Sequence, residues 1–399
     1  MSLKLNVTLL TTSYPLYPGS SSGIFIDRLI RHMHKHIQFK IVTPSAQQQD
    51  IKMLESDHIS IFPFRYAPAS MEVLAHGPGG IPVAMKQGAH MKILLPIFVM
   101  SMMVAAFRYS IKSHLIHANW AICGFVAGIV GALLRKPVIV TLRGEDMQRS
   151  HSSYVDYFLL RACVGLCTRV VTVSEAFKDE LCARFPQYGH KVVCIENGVQ
   201  KRFLDLFPER KYKSGANLIQ LLFVGSLIER KGLDQLILAI AECNLKKQVI
   251  IRVVGDGVER ARLQNLVGKK NLQHVFDFMG EMDEGEIPHV MLGADILVLP
   301  SHSEGRPNVV LEAMATGLPV VATDIDGVNE IVVHEKTGLL FTDNDIDMLA
   351  SFLQRLIMDD NIRAEYGKAS HDFIVSRQLV WTRTADHYES VYRDSLGVS

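Results

Sequence analysis

The sequence predicts a doubly wound α/β fold with parallel sheets, and three observations carry that reading. Runs rich in Val, Ile and Leu recur along the whole chain and alternate with helical patterns. Most of these runs are continuously apolar, as expected of strands covered by helices on both faces. Several end in a Gly- or Ser-containing loop that opens a helix, so strand–loop–helix units repeat. The strands read KLNVTLL, KIVTPS, PVIVTLRG, RVVTVS and KVVCIENG in the first half. In the second half they read IQLLFVG, VIIRVVGDG, ADILVLPS and PVVATD.

A chain of 399 residues suggests two or three domains, at ~150 residues each. The stretch 197–217, polar and basic with Pro208 and Gly215, reads as a linker. Both halves open alike, VTLLTTSYPLYPGSSSG and then IQLLFVGSLIERKG, so each is expected to form a Rossmann-like domain. The first spans 1–200 and the second begins at 201. Ligands of such folds sit at the carboxyl ends of the strands, here expected in a cleft between the domains.

Apolar residues make up 48% and charged residues 21%, which sets aside disorder, collagen and coiled coil for the whole chain. A net charge of +1 argues against a uniformly basic nucleic-acid binder. The balance hides an asymmetry: 20 Lys and Arg face 12 Asp and Glu in residues 1–200, against 22 and 29 in 201–399. Six cysteines, with no C-x2-C pair, read as buried thiols of a reducing compartment. MSLKLNVTLL lacks the apolar stretch and cleavage site of a signal peptide and reads as a first strand. A cytoplasmic location is expected. Ile93–Phe107 holds 15 uncharged residues interrupted by Pro96. That is short of the roughly 20 a spanning helix needs, so a buried helix or a membrane-surface contact is expected. Arg28–Lys40, RLIRHMHKHIQFK, reads as a basic amphipathic helix, either solvated or docked on anionic lipid.

The chemistry concentrates in SHSEGRPNVVLEAMATGLPVVATD, residues 301–324. A strand ending at Leu299 feeds a loop, and a helix opens near Pro307, where a missing N–H costs nothing. The loop should aim the backbone amides of Asn308, Val309 and Val310 outward, and with the helix dipole they suit a diphosphate. Glu304 lies on the loop and Glu312 about one turn inside the helix, placed for two different hydroxyl-bearing parts of one ligand. Gly255-Asp256-Gly257 follows a strand but lacks the spacing of a full dinucleotide fingerprint. Asp324 and Asp326 form D-x-D, yet no set of hard ligands accompanies them, so no metal is expected. His32, His34 and His36 are spaced to spread around a helix and form no ligand face.

The E-x7-E pair within EGRPNVVLEAMATGLPVVAT resembles the retaining GT-B glycosyltransferases of glycosyltransferase family 4. HANWAICG, TVSEAF, ENGV, VGSLIERKG, VGDGVERARL, FMG and ADILVLPS occur in the family's order. Among subgroups, SYPLYPGSSSGIFIDRL looks most like bacterial polysaccharide enzymes of the teichuronic-acid type. The resemblance implies two Rossmann-like domains facing a cleft, an acceptor domain at 1–200 and a nucleotide-sugar domain at 201–377. Residues 378–399, with WTRTADHYESVY, match a last helix that crosses back to the N-terminal domain. It implies that Glu304 contacts the donor sugar and Glu312 the ribose. Lys231 matches the phosphate cation, beside Gly225, and the amides of Asn308, Val309 and Val310 match the diphosphate contacts. The backbone near Gly255 and Met282 frames the base. Gly23 matches a glycine that approaches the transferring sugar.

Two positions depart from the family's pattern. Ser226 stands where a second phosphate-binding Arg is common, leaving Arg230 as its substitute. Arg143 stands where His is common, and a guanidinium cannot act as a base at neutral pH. Arg143 and Asp146 stay site candidates, with His117 and Asn119 as sugar or acceptor contacts. The expected activity is retaining hexosyl transfer from a UDP- or GDP-sugar to an acceptor hydroxyl in cell-surface polysaccharide synthesis. No cofactor or metal is expected. The expected partners are the donor, a sugar or lipid-linked acceptor and a peripheral inner-membrane contact, with no nucleic acid. A sugar-nucleotide epimerase of similar fold and an inactive nucleotide-sugar-binding protein are the alternatives.

Overall fold

The computed structural model describes residues 4–17, 20, 22–46, 49–75, 80–85, 89–212, 215, 217–243 and 248–398. The chain divides into two units, Met1–Glu196 with Trp381–Ser399, and Asn197–Val380. The first boundary thus lies at Asn197 where the sequence suggested 201, and the returning segment starts at Trp381 where it suggested 378.

In the first unit the strands are β1 (Leu5–Leu10), β2 (Ile37–Pro44), β3 (Ile59–Phe64), β4 (Leu115–Asn119), β5 (Val138–Leu142), β6 (Arg169–Thr172) and β7 (Val192–Cys194). They form one sheet in the order β3-β2-β1-β4-β5-β6-β7, and every pairing is parallel. The strand order reverses between β1 and β4, where Leu9 pairs with His117. At such a reversal neighbouring crossovers leave on opposite faces and open a crevice at the strand ends. The helices are α1 (Ile24–His32), α2 (Gly80–Ala84), α3 (Ala89–Ser110), α4 (Ala121–Leu134), α5 (Glu145–Ser152), α6 (Tyr154–Leu166) and α7 (Glu175–Arg184). One face of the sheet packs on α3, α4 and α6 through Phe98, Met102, Val126 and Leu160. The other packs on α1 through Ile26, Leu29 and Ile30.

The Arg28–Lys40 segment is not one helix. α1 stops at His32, and β2 takes Ile37 onward into the sheet. Arg28 is buried, and Arg31 pairs with Asp27 at 2.6 Å. The segment therefore offers no continuous basic face.

The second unit has β8 (Leu218–Val224), β9 (Gln248–Val254), β10 (Phe276–Gly280), β11 (Ile296–Leu299), β12 (Val320–Thr323) and β13 (Gly338–Phe341). Their order is β10-β9-β8-β11-β12-β13, again all parallel, with the reversal between β8 and β11. The helices are α8 (Lys201–Asp205), α9 (Leu233–Glu242), α10 (Arg260–Lys269), α11 (Ile287–Gly293), α12 (Asn308–Ala315), α13 (Ile346–Met358) and α14 (Asp360–Ser376). α15 (Trp381–Leu396) then packs on α1, burying Trp381, Tyr388 and Tyr392 in the first unit.

The expected linker is largely folded. α8 packs on α12, and Arg210 is a helix C-cap supplied from outside the helix. Its guanidinium donates to the carbonyls of Met291 (2.7 Å), Ala294 (3.0 Å) and Thr316. These are the ends of α11 and α12, whose last carbonyls have no intrahelical donor. A cation there also meets the negative end of each helix dipole. Burial lowers the Arg210 pKa, but the group remains charged.

Candidate active site

β11 is wholly buried, so its chain leaves the sheet at the carboxyl edge, next to the end of β8. The following loop brings Glu304 against the turn Glu229–Lys231, which follows β8. Lys231 Nζ donates to Glu304 Oε1 at 2.5 Å, and Ser301 Oγ donates to the same oxygen at 2.7 Å. Arg230 Nη1 lies 3.5 Å from Glu304 Oε2 and donates to the Ser303 carbonyl at 2.8 Å. Burial pushes the Glu304 pKa up, but the charges of Lys231 and Arg230 and the two hydrogen bonds outweigh it. The net result is a carboxyl held below its ordinary range. At neutral pH Glu304 is thus a carboxylate that only accepts hydrogen bonds.

The ends of β8, β9 and β10 are drawn together beside Lys231. Gly255 has φ +129°, and a Cβ there would collide with the Gly225 carbonyl. The Gly255 N–H donates to the Gly280 carbonyl at 2.7 Å. The G-x-G of this segment therefore serves close backbone approach between strand ends. A Cβ on Gly225 would sit 3.7 Å from Lys231 Cε, so the lysine stem lies along this glycine. The Ser226 carbonyl accepts from the Ile228 N–H at 3.0 Å, in the same turn. Met282 packs its side chain in the apolar cluster under α11 and α12.

α12 starts as expected, with Pro307 as its N-cap. One of the three expected amides is already used, since the Val310 N–H donates to the Pro307 carbonyl at 3.1 Å. Among the described residues, the amides of Asn308 and Val309 have no backbone acceptor. Asn308 Oδ1 accepts from Asn197 Nδ2 at 2.9 Å, which fixes the first residue of the helix. Glu312 is buried within α12. The arrangement offers a lysine ammonium, an arginine and two aligned amides to an anion, with a carboxylate 2.5 Å from the ammonium.

Several residues that brace this loop escaped the sequence reading. Gln235 Nε2 donates to the Pro300 carbonyl and to Asp343 Oδ1, both at 2.9 Å. His302 Nδ1 meets Asp343 at 2.8 Å, and the His302 N–H donates to the Arg230 carbonyl at 2.9 Å. Arg306, fully buried, places Nη1 3.6 Å from Glu330 Oε2 and so ties the loop to the segment after β12. Only Arg306, a charge inside EGRPN, carried a visible signal.

A second cluster lies at the carboxyl ends of β4 and β5 in the first unit. Arg143 Nη2 donates to Asn119 Oδ1 at 3.1 Å, and the guanidinium stacks 4.0 Å from the Phe25 ring. Burial lowers the Arg143 pKa to about 10, so it is still a cation at neutral pH. Asp146 Oδ1 accepts from the Ala121 N–H at 2.9 Å and caps α4. Asp146 Oδ2 and Asn119 Nδ2 are buried without a hydrogen-bond partner among the described residues. Burial outweighs the Ala121 hydrogen bond and pushes the Asp146 pKa up to about 6. An orphaned acceptor and an orphaned donor beside a cation suit a polyhydroxylated ligand. Gly23 opens α1 with φ +66°, and a Cβ there would collide with the Ser13 carbonyl. Of the loop before it, Pro18, Gly19 and Ser21 lie outside the described residues.

His117 does not join this cluster. It is completely buried, with Nδ1 on the Tyr392 hydroxyl (2.7 Å) and Nε2 on Thr141 Oγ1 (2.9 Å). Burial first, then the Arg143 charge, lowers its pKa to about 3. Nδ1 holds Tyr392 of α15 and Nε2 holds Thr141 of β5, which in turn meets the Tyr388 hydroxyl of α15 at 3.0 Å, so neither nitrogen is left for a sugar. His34 and His36 sit beyond the end of α1, at 3.3 Å from Asp386 and 3.1 Å from Glu389 of α15. Asp324 accepts from Asn329 Nδ2 at 3.1 Å, and no group of three metal-ligating side chains occurs among the described residues.

Known proteins share both the sequence and the architecture. Residues 22–202 match the family model Glycosyltransferase Family 4, and residues 208–373 match Glycosyl transferases group 1. A glycosyltransferase of Methanocaldococcus jannaschii is 31% identical over 284 residues, covering 70% of this chain and 75% of that protein. The chain belongs to glycosyltransferase family 4. TuaC of Bacillus subtilis, named for teichuronic acid biosynthesis, is 31% identical over 225 residues, 54% of each chain. The crystal structure of Anabaena Alr3699/HepE in complex with UDP superposes with a TM-score of 0.73 at 21% identity, covering 98% of this chain and 100% of that one. Two parallel-sheet Rossmann-like units of this kind make the glycosyltransferase a GT-B protein.

Proposed function

We propose that this glycosyltransferase moves a hexosyl group from a nucleoside diphosphate sugar to an acceptor hydroxyl, with retention of configuration. The observation that supports it most is the Lys231–Glu304 pair at the amino end of α12. Breaking the glycosidic bond leaves charge on a diphosphate, and fixed donors meeting that charge are the main source of rate. Lys231 spends one proton on Glu304 and keeps two for phosphate oxygens. Arg230 and the Asn308 and Val309 amides add donors on the same side. Glu304 orients the sugar, and Glu312 holds the ribose. In the transfer step the bond from the anomeric carbon to the diphosphate breaks. The acceptor oxygen forms its bond on the same face, and its proton passes to the departing phosphate oxygen. Asn119, Arg143 and Asp146 hold hydroxyls of the acceptor or sugar.

Structures of HepE hold UDP and UDP-glucose, which makes a UDP-sugar the first donor to test. The relatives TuaC, CapM and WcaL carry names from teichuronic acid, capsular polysaccharide and colanic acid synthesis, which supports a role in bacterial surface polysaccharides. In this reading the enzyme works in the cytoplasm, on an acceptor at the inner face of the membrane. Cations of the protein replace a metal in this scheme. A donor panel assayed with acceptor extracts in EDTA tests the whole reading. Turnover should persist, and NMR of the product should show the donor's anomeric configuration. A strict requirement for Mg²⁺ or Mn²⁺, or an inverted product, would overturn it.

A further inference from the structure

The first unit carries an apolar surface that the transfer chemistry does not use. α3 buries Leu94, Phe98, Met102, Ala105 and Ala106 against the sheet. Its opposite face exposes Ile93, Ile97, Met100, Val104 and Phe107, continued by Ile111 just past its end. These positions advance by four and three residues in turn, the spacing of one helix face. The sequence offered a buried helix or a surface contact; the helix is apolar on both faces, one buried and one bare. α4 and α6 pack beside α3 on the same side of the sheet, and their outer ends add Leu133, Tyr154 and Phe158, each more than half exposed. An apolar stripe that runs the length of one exposed helix face marks an interaction site in a water-exposed protein.

Charge decides what covers it. From Val73 to Gly144, which spans α3 and α4, the chain holds seven Lys and Arg and no Asp or Glu, and Asp156 of α6 is paired with Arg149 at 2.6 Å. Arg108, Lys112 and Arg135 are exposed at the ends of α3 and α4, and Arg161 is exposed on α6. A second copy of the chain docked by a twofold would set these cations against themselves. A surface with apolar depth and negative headgroups satisfies both features at once.

We infer that the outer face of α3, α4 and α6 docks the enzyme on an anionic lipid bilayer. The stripe enters the boundary between headgroups and acyl chains while the four cations meet lipid phosphates. α3 is long and apolar enough to cross a membrane. It stays peripheral, because its other face is part of the sheet's core and leaving would open that core. The inference rests on the proposed membrane-face acceptor for its purpose, but binding is read without any donor or acceptor.

The test is flotation of the full chain with vesicles of phosphatidylcholine alone or with about one-third phosphatidylglycerol, at low and high salt. Binding should require the anionic lipid. It should weaken roughly fivefold for each of the four cations changed to Gln, and fall steeply in high salt. The double variant Ile97→Asp, Val104→Asp should lose binding, while Val258→Asp on the second unit should keep it. Thermal stabilisation by UDP should survive in both variants, which separates this surface from the donor site and reports folding. Absence of binding to anionic vesicles, or binding indifferent to the double variant, would overturn the inference. So would a dimer in solution that the double variant dissolves.

Discussion

Two buried carboxylates sit at strand ends of the same architecture, and their pKa values move in opposite directions. Glu304 is pushed up by burial and pulled down further by Lys231 and Arg230, so it is firmly ionised. Asp146 also suffers burial; its largest compensation is the Ala121 N–H, followed by the Arg149 charge and the Arg143 N–H, and its pKa still rises to about 6. The difference is what faces each group. Glu304 has a lysine at 2.5 Å. Around Asp146, the Arg149 charge offsets burial only in part, and the Arg143 guanidinium turns Nε and Nη2 to Asn119 Oδ1. A complete ion pair marks a preorganised, charged binding site; an incompletely satisfied carboxyl marks a place where ligand hydroxyls can improve the protein's own hydrogen bonding.

The contrast breaks most visibly at Lys231. Lys231→Ala should cost turnover about 10²–10³-fold, as for loss of an electrostatic stabiliser. Arg230→Ala, at 3.5 Å and with 35% of its side chain exposed against 15% for Lys231, should cost less. Steady-state kinetics on both variants checks the ranking, and the reverse order would move the phosphate role to Arg230. A smaller effect sharpens the other side. Asp146→Asn keeps an acceptor for the Ala121 N–H and removes the burial penalty on the charge. A folded pKa above the unfolded one means that Asp146 stabilises the fold relatively below about pH 4 and loses that contribution as pH rises through about 6. The variant should therefore melt higher than the wild type at pH 7, by up to roughly 3 kcal/mol of stability for a two-unit shift. The gap should close by pH 4. Equal melting across that range would return Asp146 to an ordinary surface environment.

Legibility in the sequence followed sequence distance. Glu304, Asn308, Val309 and Glu312 share one strand–loop–helix unit, so residue types and spacing singled out their loop, whereas Lys231, on another unit, was singled out by the resemblance. Whether Val310's amide is spare depends on a single turn's backbone, which spacing does not reveal. The stretch taken as a linker looked polar because Arg210 and its neighbours are polar. Its partners, the carbonyls of Met291, Ala294 and Thr316, lie 81 to 106 positions away. His117 was ambiguous for the same reason, its Tyr392 partner lying 275 residues on. Arg28–Lys40 misled because a basic turn joined a short helix to a strand, and no glycine or proline marked the change. α3 resisted because an apolar outer face erases the periodicity that normally identifies the inner one.

The central claim is that Lys231 and the α12 amides hold the donor's diphosphate. Calorimetric titration of UDP into wild-type protein and Lys231→Ala, with circular dichroism confirming an intact fold, addresses it directly. The expected result is an affinity at least tenfold weaker in the variant, about 1.4 kcal/mol. Equal affinity for UDP in the two proteins would contradict the site.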